Sequence, residues 1–238
     1  EMRIKRYGLR LQPGVNFEIV DPEDDYRYNE TWQAYYQIKS RQGVTPDVAK
    51  ALVRKHNTLI GAMLIRRGDA DAMICGITTR FYHQLAHIED LIGRKEDTSV
   101  FAAMNALMLP TQNIFVCDTH VNENPTAEQI ADITLMAAEK VRQFGLVPRV
   151  ALLSHSNFGS RSTESSRKMA KARELVMAMA PDLEIDGEMH ADSALSNRIR
   201  FKAQPDSTLK APANLLITPN LDAGNITYNV LKMAGSNG

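Results

Sequence analysis

The sequence predicts an α/β fold built as two lobes with mostly parallel sheets and a cleft between them. Short apolar runs, typical of buried parallel strands, alternate with longer amphipathic stretches that are typical of helices. Most of these runs end in a small polar loop that contains glycine. A chain of 238 residues can bury one large core or two smaller ones, and a charged stretch at 93–97 places the lobes at 1–95 and 96–238.

The first lobe begins with a basic, turn-like stretch and then alternates strands and helices. Thr45 followed by Pro46 is typical of a helix N-terminus, and the helical pattern that follows breaks near Asn57. The predicted strands lie at 17–20 and 70–75, and the predicted helices at 26–41, 46–67 and 80–92.

The helix at 26–41 carries three aromatic residues, Trp32, Tyr35 and Tyr36. Aromatic side chains at this spacing are typical of a core or an interface. They offer more aromatic surface than a single lobe needs. We therefore expect the chain to form a homo-oligomer through this helix.

The second lobe contains a strand–helix–strand unit, which is expected to be parallel and right-handed. Thr126 and Gln129 form the pattern of a capping box at the start of its helix. The stretch at 196–212 is polar and basic, and we interpret it as a connection. The predicted strands lie at 100–109, 113–117, 150–153, 183–185 and 214–218, and the predicted helices at 127–144, 163–180 and 226–234.

Four polar loops follow predicted strands, at Gly76, Asp118, Ser154 and Pro219. Loops at the carboxyl ends of parallel strands meet at one edge of a sheet, where ligands bind, and their N–H and hydroxyl groups can hold an anion. We therefore expect the loops at 76–80 and 154–160 to face a shared cleft. The candidate ligand-binding residues are Thr78, Thr79, Arg80, Ser154, Ser156, Asn157, Ser160, Arg161, Asn220 and Asn225.

Two alternatives remain open for these polar residues. The loop at 154–162 contains no phosphate-loop or dinucleotide pattern, so it is equally consistent with an ordinary serine-rich turn. Glu188, His190 and Asp192 lie together before a helical stretch. They fit helix capping and solvation as well as they fit a ligand contact.

Composition and charge exclude several classes of protein. The net charge is zero, so neither nucleic acid nor a membrane surface is an expected partner, and no apolar run approaches the length of a membrane span. Cys75 and Cys117 lie in apolar runs and are expected to be buried thiols of a cytoplasmic protein. The sequence looks like a fragment at both ends.

A metal site is not expected either. His83 and His87 have the i, i+4 spacing of a zinc-binding helix, but glutamine stands at position 84, where the catalytic glutamate of such motifs would be.

Motifs along nearly the whole chain resemble those of the phosphate acetyl/butyryltransferase family. They are DPEDD, GVTP, DADAMICG, NENPTAEQIADI, FGLVPRVALLSHSNFGS, DGEMHADSAL and ITPNLDAGNITYNVLK. The resemblance implies two α/β lobes and a cleft that binds coenzyme A, in which phosphate attacks an acetyl thioester. Family members are at least dimeric.

VCDTHVNENPT and LLSHSNFGS are closer to one branch, the phosphotransacetylase-like domain of large bacterial NADP-dependent malic enzymes. The resemblance implies an acetyl-CoA-sensing regulatory and assembly domain. Malate oxidation, with NADP and a divalent metal, would belong to a malic enzyme domain that precedes this stretch in the same polypeptide.

Departures from the family pattern favour the regulatory interpretation. By our alignment a family arginine falls at Ala86, a second falls at Lys39 close to Arg41, and a third lies beyond Gly238. Phosphate transfer requires cations that hold the phosphate, and alanine cannot replace a guanidinium. Three hypotheses result: a regulatory domain that binds acetyl-CoA without turning it over, an active phosphate acetyltransferase, and a purely structural oligomerisation domain.

Overall fold

The structure is a computed structural model that describes residues 2–23, 25–76, 80–96, 98–110 and 112–235. The chain forms two compact units, Glu1–Gly93 and Arg94–Gly238. Within the described ranges, none of the helices combines the length and the hydrophobicity needed to cross a bilayer.

The first unit is helical in all of its described regular elements, apart from one isolated bridge between Pro13 and Phe17. Thr45 caps the third helix, because its hydroxyl oxygen accepts the N–H of Val48 at 3.3 Å. The helical pattern that follows is interrupted at His56, next to the break predicted near Asn57. The helices are α1 (Met2–Arg6), α2 (Arg27–Lys39), α3 (Pro46–Lys55), α4 (Asn57–Arg67) and α5 (Phe81–Leu91), with a 3-10 turn at Ser40–Gln42.

The strands predicted at 17–20 and 70–75 are wrong. In the part of the chain that the structure describes, neither stretch forms a strand of a sheet, and the isolated bridge of Phe17 to Pro13 is the pairing recorded for them. A strand is stable only when another strand satisfies its N–H and C=O groups, and local apolar sequence cannot supply that partner. The side chain of Ile74 is 97% exposed. Cys75 is exposed as well, which contradicts the expectation of a buried thiol.

The aromatic residues of α2 lie in the core of the first unit. Tyr35 is buried, and Trp32 and Tyr36 pack against the same cluster, together with Val53 and Leu59. They therefore stabilise this unit. The aromatic surface of α2, through which we predicted self-association, packs mostly against other residues of the same unit.

We expect two histidines to make the first unit sensitive to acid. The rings of His56, between α3 and α4, and His87, on α5, have centroids 4.9 Å apart. Burial lowers the pKa of both imidazoles below the usual value of about 6.5, and the neighbouring histidine charges contribute. The unfolded chain therefore binds more protons as the pH falls below about 6.5, so we expect the free energy of unfolding of this unit to decrease between pH 7 and pH 5.

Urea denaturation followed by the fluorescence of Trp32, the single tryptophan, measures this unit directly. The urea midpoint should fall from pH 7 to pH 5. His87→Gln should flatten that dependence, whereas His190→Gln, an exposed histidine of the second unit, should not change it. A midpoint that is constant or rises on acidification would contradict the prediction.

The second unit is an α/β fold around a five-stranded sheet with the order β1-β2-β5-β3-β4. β1 is antiparallel to β2, and the other neighbours are parallel. The strands are β1 (Met104–Met108), β2 (Asn113–Cys117), β3 (Arg149–Leu153), β4 (Glu184–Met189) and β5 (Leu215–Ile217). The helices are α6 (Ala127–Gln143), α7 (Glu164–Met179), α8 (Ala191–Leu195), α9 (Asn197–Ala203) and α10 (Leu221–Gly235).

Both faces of this sheet are covered. Phe115 and Leu152 pack on one side against α6 and α7, and Val116 and Ala151 pack on the other side with residues of α8 and α10. The strand at 150–153 is fully inside the sheet, between β5 and β4, as predicted. This double burial explains why the central strands are apolar at successive positions.

The predicted capping box at α6 is confirmed. The Thr126 hydroxyl oxygen accepts the N–H of Gln129 at 3.3 Å, and the Gln129 side chain accepts the N–H of Thr126 at 2.9 Å. A second capping box, between Thr163 and Ser166, begins α7. Such local contacts fix where these helices start.

Three boundaries differ from the prediction. The run at 100–109 forms only the edge strand β1, and most of its residues are partly exposed rather than buried. β4 continues to Met189 and so includes Glu188. α10 begins at Leu221 instead of 226, because Asn220 caps it by accepting the N–H of Ala223 at 2.9 Å.

The stretch at 196–212 is not a plain connection, because it contains α9 and the fully buried Arg200. The Arg200 guanidinium donates to the carbonyl oxygens of Ser193, Ala194, Leu209 and Ala211 at 3.0–3.3 Å. These carbonyls come before and after α9 in the chain, so one side chain links α8, α9 and the segment that follows.

Candidate functional site

The carboxyl ends of the parallel strands carry the polar loops of the second unit. β2 ends before Asp118, β3 before Ser154 and β5 before Thr218. These three strands are neighbours in the sheet, so the three loops meet at one edge, as expected from the sequence. The fourth predicted loop, at Gly76, does not follow a strand.

The loop that follows β3 is wrapped around a buried carboxylate. Glu188, on β4, is 5% exposed. Its Oε1 atom accepts the Ser156 hydroxyl at 2.7 Å and the Gly159 N–H at 2.8 Å, and its backbone oxygen accepts the Phe158 N–H at 2.8 Å. Glu188 therefore shapes this loop, and its carboxylate binds the loop and not a helix N-terminus.

Ser156 is fully buried and serves the loop itself. Besides donating to Glu188, its oxygen accepts the N–H of Arg161 at 3.1 Å. The Ser156 hydroxyl is therefore used within the loop, and its candidate role in ligand binding stays a prediction.

Three other predicted residues have groups near the surface of the loop. Ser154 and Ser160 each accept one backbone N–H through the hydroxyl oxygen, at 3.1 and 2.9 Å. The Asn157 side-chain oxygen accepts the N–H of His190 at 3.1 Å. Their hydroxyl hydrogens and the Asn157 amide hydrogens can still point to a bound molecule.

Arg161 is the cation of this loop. It is exposed, and within the described ranges its guanidinium makes no hydrogen bond or ion pair. An exposed guanidinium beside hydroxyl and amide groups can bind a phosphate or carboxylate in two-point fashion.

The loop after β2 is organised by another buried carboxylate. Asp118 is 4% exposed. Its two oxygens accept the N–H groups of Ala103, His120, Val121 and Asn122 at 2.7–3.2 Å. Beside it, burial and this carboxylate raise the pKa of the Cys117 thiol, so Cys117 is a buried neutral thiol as predicted.

Lys168 joins the loops after β2 and β5, which no pattern in the sequence had indicated. From α7 its amine donates to the Asn124 side-chain oxygen at 2.6 Å and to the Pro219 carbonyl at 2.9 Å. Burial lowers the pKa of this ammonium group. In the sequence Lys168 is one of several basic residues on a helix face, and nothing distinguishes it from them.

Asn220 and Asn225 hold α10 at the same edge. Asn220 caps the helix, and the Asn225 amide donates to the carbonyl of Thr119 at 3.3 Å. Between them, Gly224 lies directly against the backbone of Asp118. The three loops and α10 thus form one hydrogen-bonded cluster at the carboxyl edge.

In the first unit, Thr78 and Thr79 lie outside the described residues. Arg80 is exposed and directly precedes α5. Lys39, where the motifs led us to expect a family arginine, is 5% exposed, and its amine contacts Asp90 at 2.8 Å and Gln42 at 2.8 Å. Ala86 lies on α5 and is partly exposed.

The described residues contain no group of three or more His, Cys, Asp and Glu side chains arranged to hold a metal ion. The polar groups described at the carboxyl edge include neutral hydrogen-bond donors, the exposed guanidinium of Arg161, the ammonium group of Lys168 and the buried carboxylates of Asp118 and Glu188.

Comparison with known proteins identifies the family. The phosphate acetyl/butaryl transferase family matches residues 1–237. The NADP-dependent malic enzyme of Escherichia coli K12 is 50% identical over 238 residues, which are 100% of this chain and 31% of that enzyme. The phosphate acetyltransferase of Corynebacterium glutamicum is 31% identical over 233 residues, which are 98% of this chain and 70% of that enzyme.

A phosphotransacetylase structure from Streptococcus pyogenes matches with a TM-score of 0.83 at 26% identity, over 98% of this chain and 70% of that chain. The α/β fold with a mostly parallel sheet agrees with this match. The chain spans about a third of the length of its malic enzyme relatives. The resemblance found in the motifs is confirmed, and the chain belongs to the phosphate acetyl/butaryl transferase family.

Proposed function

We propose that this chain is an acetyl-CoA-binding regulatory and assembly domain of a hybrid NADP-dependent malic enzyme, without phosphate acetyltransferase activity of its own. Its similarity to bacterial malic enzymes extends over the whole chain and exceeds its similarity to the transferases. Oxidative decarboxylation of malate, with NADP and a divalent metal, would be carried by another domain of the same polypeptide.

The surroundings of Lys39 are the observation that supports the absence of acetyl transfer to phosphate. Its amine is buried and already paired with the Asp90 carboxylate, so it is not free to hold inorganic phosphate. Ala86 supplies no charge at the other family arginine position. Without cations that fix phosphate for attack on a thioester, the transition state loses positioning and electrostatic stabilisation, at a cost of about 10²-fold in rate per contact.

Binding of acetyl-CoA requires fewer positioned cations than its reaction with phosphate. We assign a phosphate of acetyl-CoA to the guanidinium group of Arg161, and the neighbouring polar contacts to Ser154, Asn157 and Ser160. A ligand that binds one state of an assembly better than another shifts the equilibrium by its differential affinity, with coupling free energies of about 1–3 kcal/mol. Acetyl-CoA would regulate malate oxidation in this way.

Calorimetry on the intact protein at its natural length tests the proposal. We expect heat of binding with acetyl-CoA, no formation of acetyl phosphate, and a change in malate-dependent NADP reduction when acetyl-CoA is added. Arg161→Met should weaken acetyl-CoA binding about tenfold, which corresponds to about 1.4 kcal/mol. Arg167→Met removes an exposed arginine in the first turn of α7, six residues further along the chain; it is the matched control and should bind normally.

Two outcomes would replace the proposal. Turnover to acetyl phosphate at the rate of an authentic transferase would favour an active phosphate acetyltransferase, which the family membership allows. Absence of binding heat together with no effect on malate oxidation would leave a structural oligomerisation domain.

A further inference from the structure

The amine of Lys168 has uncharged partners at the carboxyl edge. It donates to the Asn124 side-chain oxygen at 2.6 Å and to the Pro219 carbonyl oxygen at 2.9 Å. Among the residues that the structure describes, no carboxylate lies within ion-pair distance of this amine. Lys171, about one turn further along α7, differs in this respect, because its amine pairs with the Glu174 carboxylate at 2.9 Å. Lys168 therefore lacks a direct partner that would favour its charged form.

We propose that Lys168 is a site of covalent acylation, made reactive by its uncharged partners, at which its amine takes the acetyl group of acetyl-CoA. The nitrogen attacks the thioester carbonyl carbon and forms an amide bond, and the carbon–sulfur bond breaks. Coenzyme A leaves as a thiol, which takes up the proton that the amine releases. This inference rests on the proposed function, because that function brings acetyl-CoA to the same edge of the sheet.

The two hydrogen bonds orient the amine for this attack. A neutral lysine amine has two N–H bonds and one lone pair, and the lone pair is the nucleophile. The Asn124 and Pro219 oxygens take both N–H bonds, so the lone pair points away from these two acceptors. The Lys168 residue is only partly buried, so the chain does not close it off from solvent. The amine is thus held as a nucleophile at the carboxyl edge.

Burial favours the neutral, reactive form of the amine. It lowers the pKa of the Lys168 ammonium group, and the charge of the Glu164 carboxylate in the first turn of α7 opposes part of this effect. Lysines that are desolvated in this way are the ones that proteins use as nucleophiles. The electrostatic environment therefore agrees with the geometry of the two hydrogen bonds.

Acetylation would change the contacts that join two loops. The acetylated nitrogen is uncharged and keeps one N–H group, so it cannot donate to both Asn124 and Pro219. Either the loop after β2 or the loop after β5 would lose its donor. Acylation of Lys168 would thus convert the supply of acetyl-CoA into a change at these loops that outlasts dissociation of the ligand.

Incubation of the intact protein with acetyl-CoA, followed by peptide mass spectrometry, tests the proposal. We expect Lys168 to be acetylated several-fold faster than Lys171, the matched control, which is exposed on the same helix. This advantage should grow as the pH is lowered from about 9 to about 7, because a lowered pKa leaves more of the Lys168 amine neutral. An equal or slower rate at Lys168, or a rate ratio that is independent of pH, would overturn the proposal.

A substitution beside Lys168 tests the role of its uncharged partners. Asn124→Asp places a carboxylate against the amine with little change in shape, and it should slow the acetylation of Lys168 several-fold. Asn113→Asp is the matched control, because Asn113 is exposed at the opposite end of β2, and it should leave the rate unchanged. Undiminished acetylation of Lys168 in Asn124→Asp would contradict the proposal.

Calorimetry with acetyl-CoA separates this proposal from the function proposed above. Preferential acetylation of Lys168 without heat of binding would support the acylation site and contradict the binding function. Heat of binding without preferential acetylation of Lys168 would overturn the acylation site and leave the binding function in place.

Discussion

Replacing Arg200 with methionine should destabilise the second unit by about 3 kcal/mol or more. The guanidinium is fully buried and donates to four carbonyl oxygens and to the Asn197 side chain, at 2.7 Å for the latter. Methionine has a similar length and apolar stem but no N–H group, so several buried acceptors would lose their donors. Each unsatisfied buried polar group costs about 1–3 kcal/mol.

The control for this substitution lies on the same helix. Arg198→Met removes an exposed arginine and should change stability by less than about 0.5 kcal/mol. Because Trp32 reports only on the first unit, urea unfolding should be followed by amide hydrogen exchange on peptides from β3, β4 and β5. Equal midpoints for Arg200→Met and Arg198→Met would show that Arg200 is not needed to link α8, α9 and the segment that follows.

The sequence was informative where structure is decided by nearby residues. The Thr126–Gln129 capping box and the Thr45 cap act over three positions, so helix starts could be predicted from them. Strands β2, β3 and β5 are buried on both faces, and such strands are apolar throughout. The loops that follow these strands could be placed at one edge of the sheet, because the carboxyl ends of parallel strands lie on the same side.

The sequence was misleading where a distant partner decides the outcome. The apolar stretch at 70–75 has the composition of a strand, but no neighbour pairs with it in the described first unit. Ser156 looked like a ligand donor, but its hydroxyl is taken by Glu188, 32 residues further along the chain. Lys168 reaches Pro219, 51 residues away, and periodicity carries no signal for such a contact.

Gly224→Ala should be the most damaging single substitution at the carboxyl edge. A β-carbon at this position would overlap the carbonyl oxygen of Asp118 and would lie 2.8 Å from the Thr218 hydroxyl oxygen. Backbone atoms cannot rotate away, so either α10 or the loop after β2 must shift. We expect a loss of about 3 kcal/mol in the free energy of unfolding, at the upper end of typical overpacking costs.

Gly235→Ala is the matched control, because it is the same change in the same helix. There the new β-carbon meets only the methyl end of the Leu109 side chain, which can change its rotamer. Alanine is also the better helix former by about 1 kcal/mol, and this gain applies to both variants. We therefore expect Gly235→Ala to be neutral or stabilising and Gly224→Ala to be strongly destabilising, measured by urea unfolding with amide exchange of β2 and α10. Similar stability of the two variants would mean that α10 does not need its close approach to Asp118, and that the edge of the sheet can tolerate movement of this helix.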